Sequence, residues 1–272
     1  MSELTCAYCF RHCRIKEGAV GFCRARKNAG GENVCANYGR ITGLALDPIE
    51  KKPLARFYPG SSILSVGSYG CNLACPFCQN WQISMADEET SGYETLTAEE
   101  LADYVRRTAG NLGIAFTYNE PLVSFELIRD VAKLVKPEGY RIVVVSNGCV
   151  EEPVLEELAP YVDAMNIDLK GDAAFYRELN GNYEQVKHTI AYMHDKCHLE
   201  ITSLIIPGKN DSEEWIRREA EWIASLDPEI TLHITRYFPN WKYREAATSR
   251  ETVYRLKRVA EEYLNDVLVG NV

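Results

Sequence analysis

Residues 63–81 read ILSVGSYGCNLACPFCQNW, a short apolar stretch that runs directly into a loop with three cysteines. The stretch at 63–66 has the length and the residue types of a buried β-strand. Cys71, Cys75 and Cys78 follow it with the spacing C-x3-C-x2-C. The three thiols therefore fall just beyond the predicted strand, where α/β barrels carry their chemistry.

Strand and helix patterns continue to alternate after this loop. Five further strands are predicted, each ahead of a helical pattern, at 114–117, 141–145, 164–168, 199–206 and 230–236. Residues 97–100 (TAEE) have the sequence of a helix capping box, and residues 211–214 (DSEE) place acidic residues at another helix start. Six βα units over residues 58–272 predict an α/β fold, an incomplete TIM-type (β/α)6 barrel.

The first 57 residues have a different character. They are rich in cysteine, glycine and basic residues and show little hydrophobic periodicity, which predicts a small irregular domain that ends between Pro53 and Pro59. Cys6, Cys9, Cys13 and Cys23 offer four thiols that could hold a metal. Two interpretations compete, a structural zinc, which takes four thiolates and is preferred, and an auxiliary iron–sulfur cluster. The sequence assigns no role to Cys35.

Composition limits the classes of protein to consider. The chain has 272 residues, ten cysteines and a formal net charge of -9. It lacks the roughly 18 consecutive apolar residues of a membrane span, and its start does not resemble a signal peptide, so we expect a cytoplasmic protein with no membrane partner. Cytosolic thiols stay reduced, which favours metal ligation over disulfides. The acidic total makes a nucleic-acid partner unfavourable.

The number of cysteines in the loop at 71–78 points to a particular metal group. A [4Fe-4S] cluster normally takes four cysteines, so three thiols leave one iron open to an exogenous ligand. A zinc site, the main alternative, needs four ligands and usually draws them from paired C-x2-C knuckles. Phe77, directly before the last cysteine, offers a flat apolar surface beside such a cluster.

Several segments resemble the radical S-adenosylmethionine superfamily, and within it the AmmeMemoRadiSam-system radical enzymes and the activating enzymes of glycyl-radical enzymes, such as that of pyruvate formate-lyase. The likeness is carried by residues 47–54 (DPIEKKPL), 59–61 (PGS) and 70–81 (GCNLACPFCQNW), and extends from Cys6 to about residue 240. It implies an oxidoreductase with Cys71, Cys75 and Cys78 as catalytic cluster ligands. S-adenosylmethionine would bind the open iron, and its reductive cleavage would give methionine and a 5'-deoxyadenosyl radical that abstracts hydrogen. An electron donor such as flavodoxin or ferredoxin is also implied.

The resemblance further implies S-adenosylmethionine contacts at the strand ends. They are Phe77, Tyr118, Asn119, Glu120, Ser146, Asn147, Asp168, Lys170 and Arg236. Tyr118 and Asn119 stand where the family has two glycines before its Glu-Pro pair. Val145 and Thr202 replace an acidic and a basic residue of the pyruvate formate-lyase activase, so a bound monovalent cation is not expected. Alternatives for these motifs are a helix cap at residues 119–121 and a surface ion pair between Asp168 and Lys170.

The sequence does not determine the substrate. The resemblance to glycyl-radical activating enzymes favours a protein substrate, and the alternative is the same radical chemistry on a small molecule or an RNA base. From another class, the chain could be an electron carrier or a zinc-stabilised scaffold without turnover. Cofactor-like motifs at successive strand ends count against a carrier, which needs none of them.

Overall fold

The computed structural model of the protein describes residues 3–272, and the amino-terminal part of this range consists of short strands. They are β1 (Glu3–Thr5), β2 (Arg14–Lys16), β3 (Arg26–Ala29), β4 (Glu32–Cys35) and β5 (Arg40–Ile41). β1 pairs with β2, and β3 pairs with β4, both antiparallel. Such small hairpins bury little apolar surface by themselves, so this part depends on other contacts for its stability.

One large sheet forms the rest of the framework. The remaining strands are β6 (Gly43–Pro48), β7 (Ser62–Gly67), β8 (Glu94–Thr95), β9 (Asn111–Phe116), β10 (Arg141–Ser146), β11 (Ala164–Asp168), β12 (His198–Ile205), β13 (Thr231–Arg236) and β14 (Val267–Gly270). β8 pairs with β5, and the other eight form a sheet in the order β14-β13-β12-β11-β10-β9-β7-β6. Every pair within it is parallel except β6 with β7.

Along the chain, helices lie between the strands of this sheet. They are α1 (Trp81–Ser84), α2 (Ala98–Arg107), α3 (Phe125–Val135), α4 (Glu152–Leu158), α5 (Ala173–Glu178), α6 (Tyr183–Met193), α7 (Glu213–Leu226) and α8 (Arg250–Ala260). Short 3-10 turns occupy Ile49–Lys51, Pro121–Ser124 and Lys136–Glu138. The predicted capping box at the start of α2 is confirmed by reciprocal bonds between Thr97 and Glu100. Within residues 3–272, no helix has both the length and the apolar character that a membrane span needs.

All six predicted strands are confirmed, and the fold is the predicted partial barrel with parallel strands. Two edge strands were not predicted. β6 runs antiparallel to β7 at one edge of the sheet. Its residues 45 and 46 are exposed, so its sequence does not show the apolar pattern of a buried strand. β14 has only four residues, Val267–Gly270, and takes its strand form from pairing with β13. The two edges of the sheet do not pair with each other in the described chain, so the barrel is open on one side.

Residues that precede the predicted boundary at residue 57 also contact the barrel. β6 already belongs to the barrel sheet, and the segment after it packs across the amino-terminal end of the barrel. The backbone N–H groups of Ala55 and Arg56 donate to the buried Glu200 at 2.9 and 2.8 Å. Asn166 Nδ2 donates to the carbonyl of Pro53 at 2.8 Å. Residues 43–57 are therefore part of the barrel, because their partners lie on its strands.

Candidate active site

A cavity of about 280 Å³ lies at the carboxyl ends of the parallel strands. It brings together nearly all the residues that the sequence suggested for this site. Those that line it are Cys71, Cys75, Phe77, Cys78, Tyr118, Asn119, Glu120, Ser146, Asn147, Asp168 and Lys170. Arg236 does not line it, because its Nε donates to the carbonyl of Thr248 at 2.6 Å and its guanidinium lies 4.6 Å from the ring of Phe238.

The loop that carries the three thiols is held by bonds within itself and by a bond to the end of α5. Ala74 N–H donates to the carbonyl of Leu179 at 3.0 Å, and Cys78 N–H donates to that of Cys75 at 3.2 Å. Leu73 N–H donates to Cys71 Sγ at 3.4 Å. Burial raises the pKa of Cys75 to about 12, so its thiol stays protonated at neutral pH unless a metal replaces the proton.

The number of thiols in the cavity fits one kind of metal group better than the other. A structural zinc ion takes four protein ligands, whereas a [4Fe-4S] cluster held by three thiolates keeps one iron open. Within the described chain, Cys71, Cys75 and Cys78 are the cysteines that line the cavity. The donor set therefore fits a cluster with one iron that has no protein thiolate.

Glu120 is fixed at the end of β9. It is 1% exposed and accepts bonds from Ser146 Oγ at 2.8 Å, Asn147 N–H at 2.7 Å and Leu122 N–H at 3.0 Å. Burial raises the pKa of this carboxyl group to about 7 despite these bonds. The bond from Leu122 is a cap of the turn Pro121–Ser124, so the helix-cap alternative is correct locally and coexists with a place in the cavity.

Tyr118 has a left-handed backbone, with φ of 74°, at a position where the resembling family carries glycine. That conformation is rare for a bulky residue and persists only where other contacts enforce it. The Tyr118 hydroxyl donates to Asp47 Oδ2 at 2.7 Å, and the Lys52 ammonium lies 4.7 Å from the ring centroid. Asp47 also accepts from Lys52 Nζ at 2.9 Å. Residues 47–52 therefore anchor the strand end that carries Glu120.

The two asparagines of the site contact the cysteine loop. Asn119 Nδ2 donates to the carbonyls of Tyr69 and Gly70 at 3.2 and 3.0 Å. Asn147 Nδ2 donates to Asn72 Oδ1 at 2.9 Å and lies 3.6 Å from Cys71 Sγ. Their amide groups orient the loop, which is a structural task that the sequence did not indicate.

Asp168 and Lys170 form an ion pair in which Nζ and Oδ2 are 2.8 Å apart. The Lys170 side chain is 14% exposed, and both residues line the cavity, so the pair does not belong to the outer surface. Burial acts to lower the pKa of Lys170, but the charge of Asp168 and its hydrogen bond to Nζ act to raise it, and the pKa lies above its ordinary value. Lys170 therefore carries a permanent positive charge into the cavity.

A loop after β13 covers the cysteine loop from outside. Asn240 Nδ2 donates to the carbonyl of Cys78 at 3.2 Å, and Tyr243 N–H donates to that of Pro76 at 3.1 Å. Trp81 and Trp241 stack with their centroids 5.7 Å apart and their planes 5° apart. These contacts join segments more than 150 residues apart and could not be inferred from local patterns.

Some residues of the cavity were missed by the sequence reasoning. Besides the expected set, its lining includes Pro53, Thr117, Thr202, Leu204, Thr235 and Asn271. A usable signal existed for Thr202 and Thr235, since each follows an apolar residue near the carboxyl end of a predicted strand and takes the opposite face. No such signal existed for Pro53 or Asn271, which lie outside the six predicted strands.

Comparison with known proteins gives a consistent result. The family model described as the Radical SAM superfamily matches residues 65–220. An uncharacterized protein of Methanocaldococcus jannaschii is 36% identical over 282 aligned residues, which cover 100% of this chain and 82% of that protein. The pyruvate formate-lyase-activating enzyme of Clostridium pasteurianum is 26% identical, with 72% and 88% covered. The structure of Streptococcus suis SuiB bound to S-adenosylmethionine aligns with a TM-score of 0.59 at 15% identity, covering 76% of this chain and 51% of that one.

Proposed function

The chain belongs to the radical SAM superfamily, whose members bind a [4Fe-4S] cluster and S-adenosylmethionine, and on this basis we propose that it abstracts hydrogen from a protein substrate. When bound, the cluster and S-adenosylmethionine supply a 5'-deoxyadenosyl radical by one-electron reductive cleavage. The observation that carries the proposal is a single cavity that combines three thiols with Glu120, Asp168 and Lys170 at the strand ends.

Cys71, Cys75 and Cys78 are the proposed ligands of that cluster. The loop leaves their side chains facing one cavity and keeps its own backbone bonded to the barrel at Leu179. Metal binding displaces the thiol protons, which makes the loop anionic. Lys170 faces this charge from the side, and its raised pKa keeps it protonated.

Glu120 is proposed to receive the amino group of S-adenosylmethionine. A carboxylate has about four acceptor positions, and three of those on Glu120 are taken by Leu122, Ser146 and Asn147. One acceptor position is left for a ligand, and the three bonded donors fix the orientation of the carboxylate. Lys170 is proposed to contact the carboxylate or the ribose of the same ligand, because it is the cation that lines the cavity beside Asp168.

A protein substrate is favoured by the likeness to the activating enzyme of Clostridium pasteurianum and by the open side of the barrel. Because β6 and β14 do not pair in the described chain, a loop of another protein could approach the cavity between them. An electron donor of the flavodoxin or ferredoxin type would complete the reaction. The cytoplasmic location expected from the sequence suits such a donor.

The experiment measures S-adenosylmethionine cleavage by anaerobically reconstituted protein reduced with dithionite. We expect 5'-deoxyadenosine, and its absence under all conditions would contradict the radical chemistry. Extract of the source organism is then separated into macromolecular and low-mass fractions. Stimulation of cleavage by the macromolecular fraction, lost after protease treatment, supports a protein substrate. Stimulation by the low-mass fraction, or loss after ribonuclease treatment, favours the small-molecule or RNA alternative.

A further inference from the structure

Four of the five cysteines of the amino-terminal part line one common cavity, separate from the active-site cavity. Cys6, Cys9, Cys13 and Cys23 all contribute to its wall, and Leu122 and Val123 close it from the barrel side. Cys35, which is close in sequence, does not line it. Four thiols from a segment of 18 residues have thus been brought to one enclosed space, although no local apolar core would gather them.

Backbone amide groups lie close to two of these sulfurs. Burial raises the pKa of Cys9 to about 11 and also raises the pKa of Cys23, while the backbone amides of Arg11 and Ala25 act to lower them. In the active-site loop, Leu73 N–H donates to Cys71 Sγ at 3.4 Å. Backbone amides at both sites are thus placed to support metal-bound thiolates.

Two cationic side chains border the same cavity. Arg11 and Arg26 both line it, and Arg26 is 1% exposed. Although Arg26 pairs with Glu126 through its terminal nitrogens, its Nε has no hydrogen-bond partner among the described residues. An unpartnered buried donor is costly, so a group that accepts from it is expected. An anionic sulfur-rich group in this cavity meets that need.

The chemistry of the lining favours a cluster over a single zinc ion. A zinc site with four thiolates offers hydrogen-bond acceptors only at those thiolates, whereas the inorganic sulfides of an iron–sulfur cluster accept further hydrogen bonds. The wall of the cavity supplies such donors in Arg11 and in the unpartnered Nε of Arg26. Four thiols with additional donors around them therefore match a cubane that is fully ligated by protein.

We propose that Cys6, Cys9, Cys13 and Cys23 bind a second [4Fe-4S] cluster, fully ligated by protein, beside the active-site loop. The two sites meet at Asn72. Arg11 Nε donates to the carbonyl of Asn72 at 2.9 Å, and Asn72 Oδ1 accepts from Asn147, which borders Cys71. Cys9 also lies within hydrogen-bonding reach of the Asn72 side chain. This inference goes beyond the proposed function, which needs only the cluster at Cys71, Cys75 and Cys78.

The test counts iron and zinc in the full-length protein, purified anaerobically from cells supplied with both metals. We expect roughly eight irons per chain, and roughly four in the variant with Cys71→Ala, Cys75→Ala and Cys78→Ala. The four that remain should give an EPR signal after reduction that does not change when S-adenosylmethionine is added. Roughly one zinc per chain in that variant, or no metal at all, would overturn the proposal.

Single substitutions avoid the risk that a multiple variant fails to fold. Cys13→Ser should lose roughly half of the iron or alter the EPR spectrum of the second cluster, while Cys35→Ser, outside the cavity, should leave both unchanged. In the parent protein, two neighbouring reduced clusters should broaden each other's signals relative to the triple variant. Failure of S-adenosylmethionine cleavage would affect only the proposed function, since these readouts do not depend on turnover.

Discussion

The two cysteine sites differ in the number of thiols and in their surroundings. The loop at residues 71–78 presents three thiols to a cavity of about 280 Å³ that also contains Glu120, Asp168 and Lys170. The amino-terminal site presents four thiols to a space of about 10 Å³ whose other charged lining residues are Arg11 and Arg26. The first site therefore offers free space and carboxylate and amide groups for an exogenous ligand, whereas the second offers four thiols and two arginines that can surround a metal group.

The contrast indicates that one site is suited to bind a ligand and the other to hold a metal group that is closed to exogenous ligands. An iron without a protein ligand can bind an exogenous molecule, but only where space and counter-charges accompany it. A site with four thiols in a closed, mostly apolar cavity resists exchange. Because Gly70 lies between the two regions and Asn72 joins them, disturbance of one site should be measurable at the other.

The largest expected effect comes from the loop itself. The variant with Cys71→Ala, Cys75→Ala and Cys78→Ala should produce no 5'-deoxyadenosine, because no cluster is left to bind and reduce S-adenosylmethionine. Chromatography of the quenched, dithionite-reduced reaction measures this. Cys197→Ala serves as the control, since Cys197 lies outside both cavities, and it should keep full activity. Residual cleavage in the triple variant would mean that catalysis depends on other ligands.

Gly70→Ala should destabilise the contact between the two sites. Gly70 has φ of 89°, and a Cβ there would collide with the carbonyl oxygen of Cys23. We expect a loss of about 2–5 kcal/mol in the free energy of unfolding, from backbone strain plus the collision. Gly110→Ala is the matched control, because φ is 69° there but nothing lies near the added Cβ. It should cost only about 1–2 kcal/mol. Equal losses in urea denaturation would show that the contact with Cys23 is unimportant.

Glu120→Gln should weaken S-adenosylmethionine binding while leaving the iron content unchanged. Loss of a charged contact costs about 1.5–3 kcal/mol, or roughly 10- to 150-fold in Kd. Since the pKa of Glu120 is raised to about 7, the carboxyl group is mostly neutral at pH 6 and mostly ionised at pH 8. Affinity in the parent should therefore rise about tenfold over that interval.

Isothermal titration of both proteins at several pH values measures this effect. The rise with pH should disappear in Glu120→Gln, which has no titrating group at that position. Glu156→Gln, exposed on α4, is the control and should bind like the parent. A variant that keeps parental affinity at pH 8 would remove Glu120 from the ligand site.

Local sequence patterns were sufficient for much of the framework. The six predicted strands are largely buried and contain short apolar runs, as at residues 142–145, and the loop with Cys71 is recognisable from spacing alone. Glu120 and Asp168 were suggested because their motifs, at the ends of predicted strands, resemble those of the radical S-adenosylmethionine superfamily. Those features depend on neighbours along the chain, which is the information that periodicity carries.

Features that depend on distant partners could not be predicted in this way. The left-handed backbone of Tyr118 is supported by Asp47, 71 residues away. β6 became a barrel strand by pairing with β7, which moved the start of the barrel ahead of residue 58. Arg236 was suggested for the site from its place after a strand, but its guanidinium is bonded to the carbonyl of Thr248. In each case the decisive contact has no signature in the local sequence.

The smallest expected effect tests the link between the two sites, through Asn72→Ala. The side chain is fully buried, and its Nδ2 donates to the carbonyl of Cys149 at 2.7 Å while its Oδ1 accepts from Asn147. Truncation leaves both partners unpaired, which should cost about 1–3 kcal/mol of unfolding free energy. Gln82→Ala, exposed on α1, should stay within about 0.5 kcal/mol of the parent. Because Asn72 contacts Arg11 of one cavity and Asn147 of the other, the EPR signals of both iron groups should shift together in Asn72→Ala. If only the signal of the Cys71 loop shifts, the two sites are independent and the contact through Asn72 serves the loop alone.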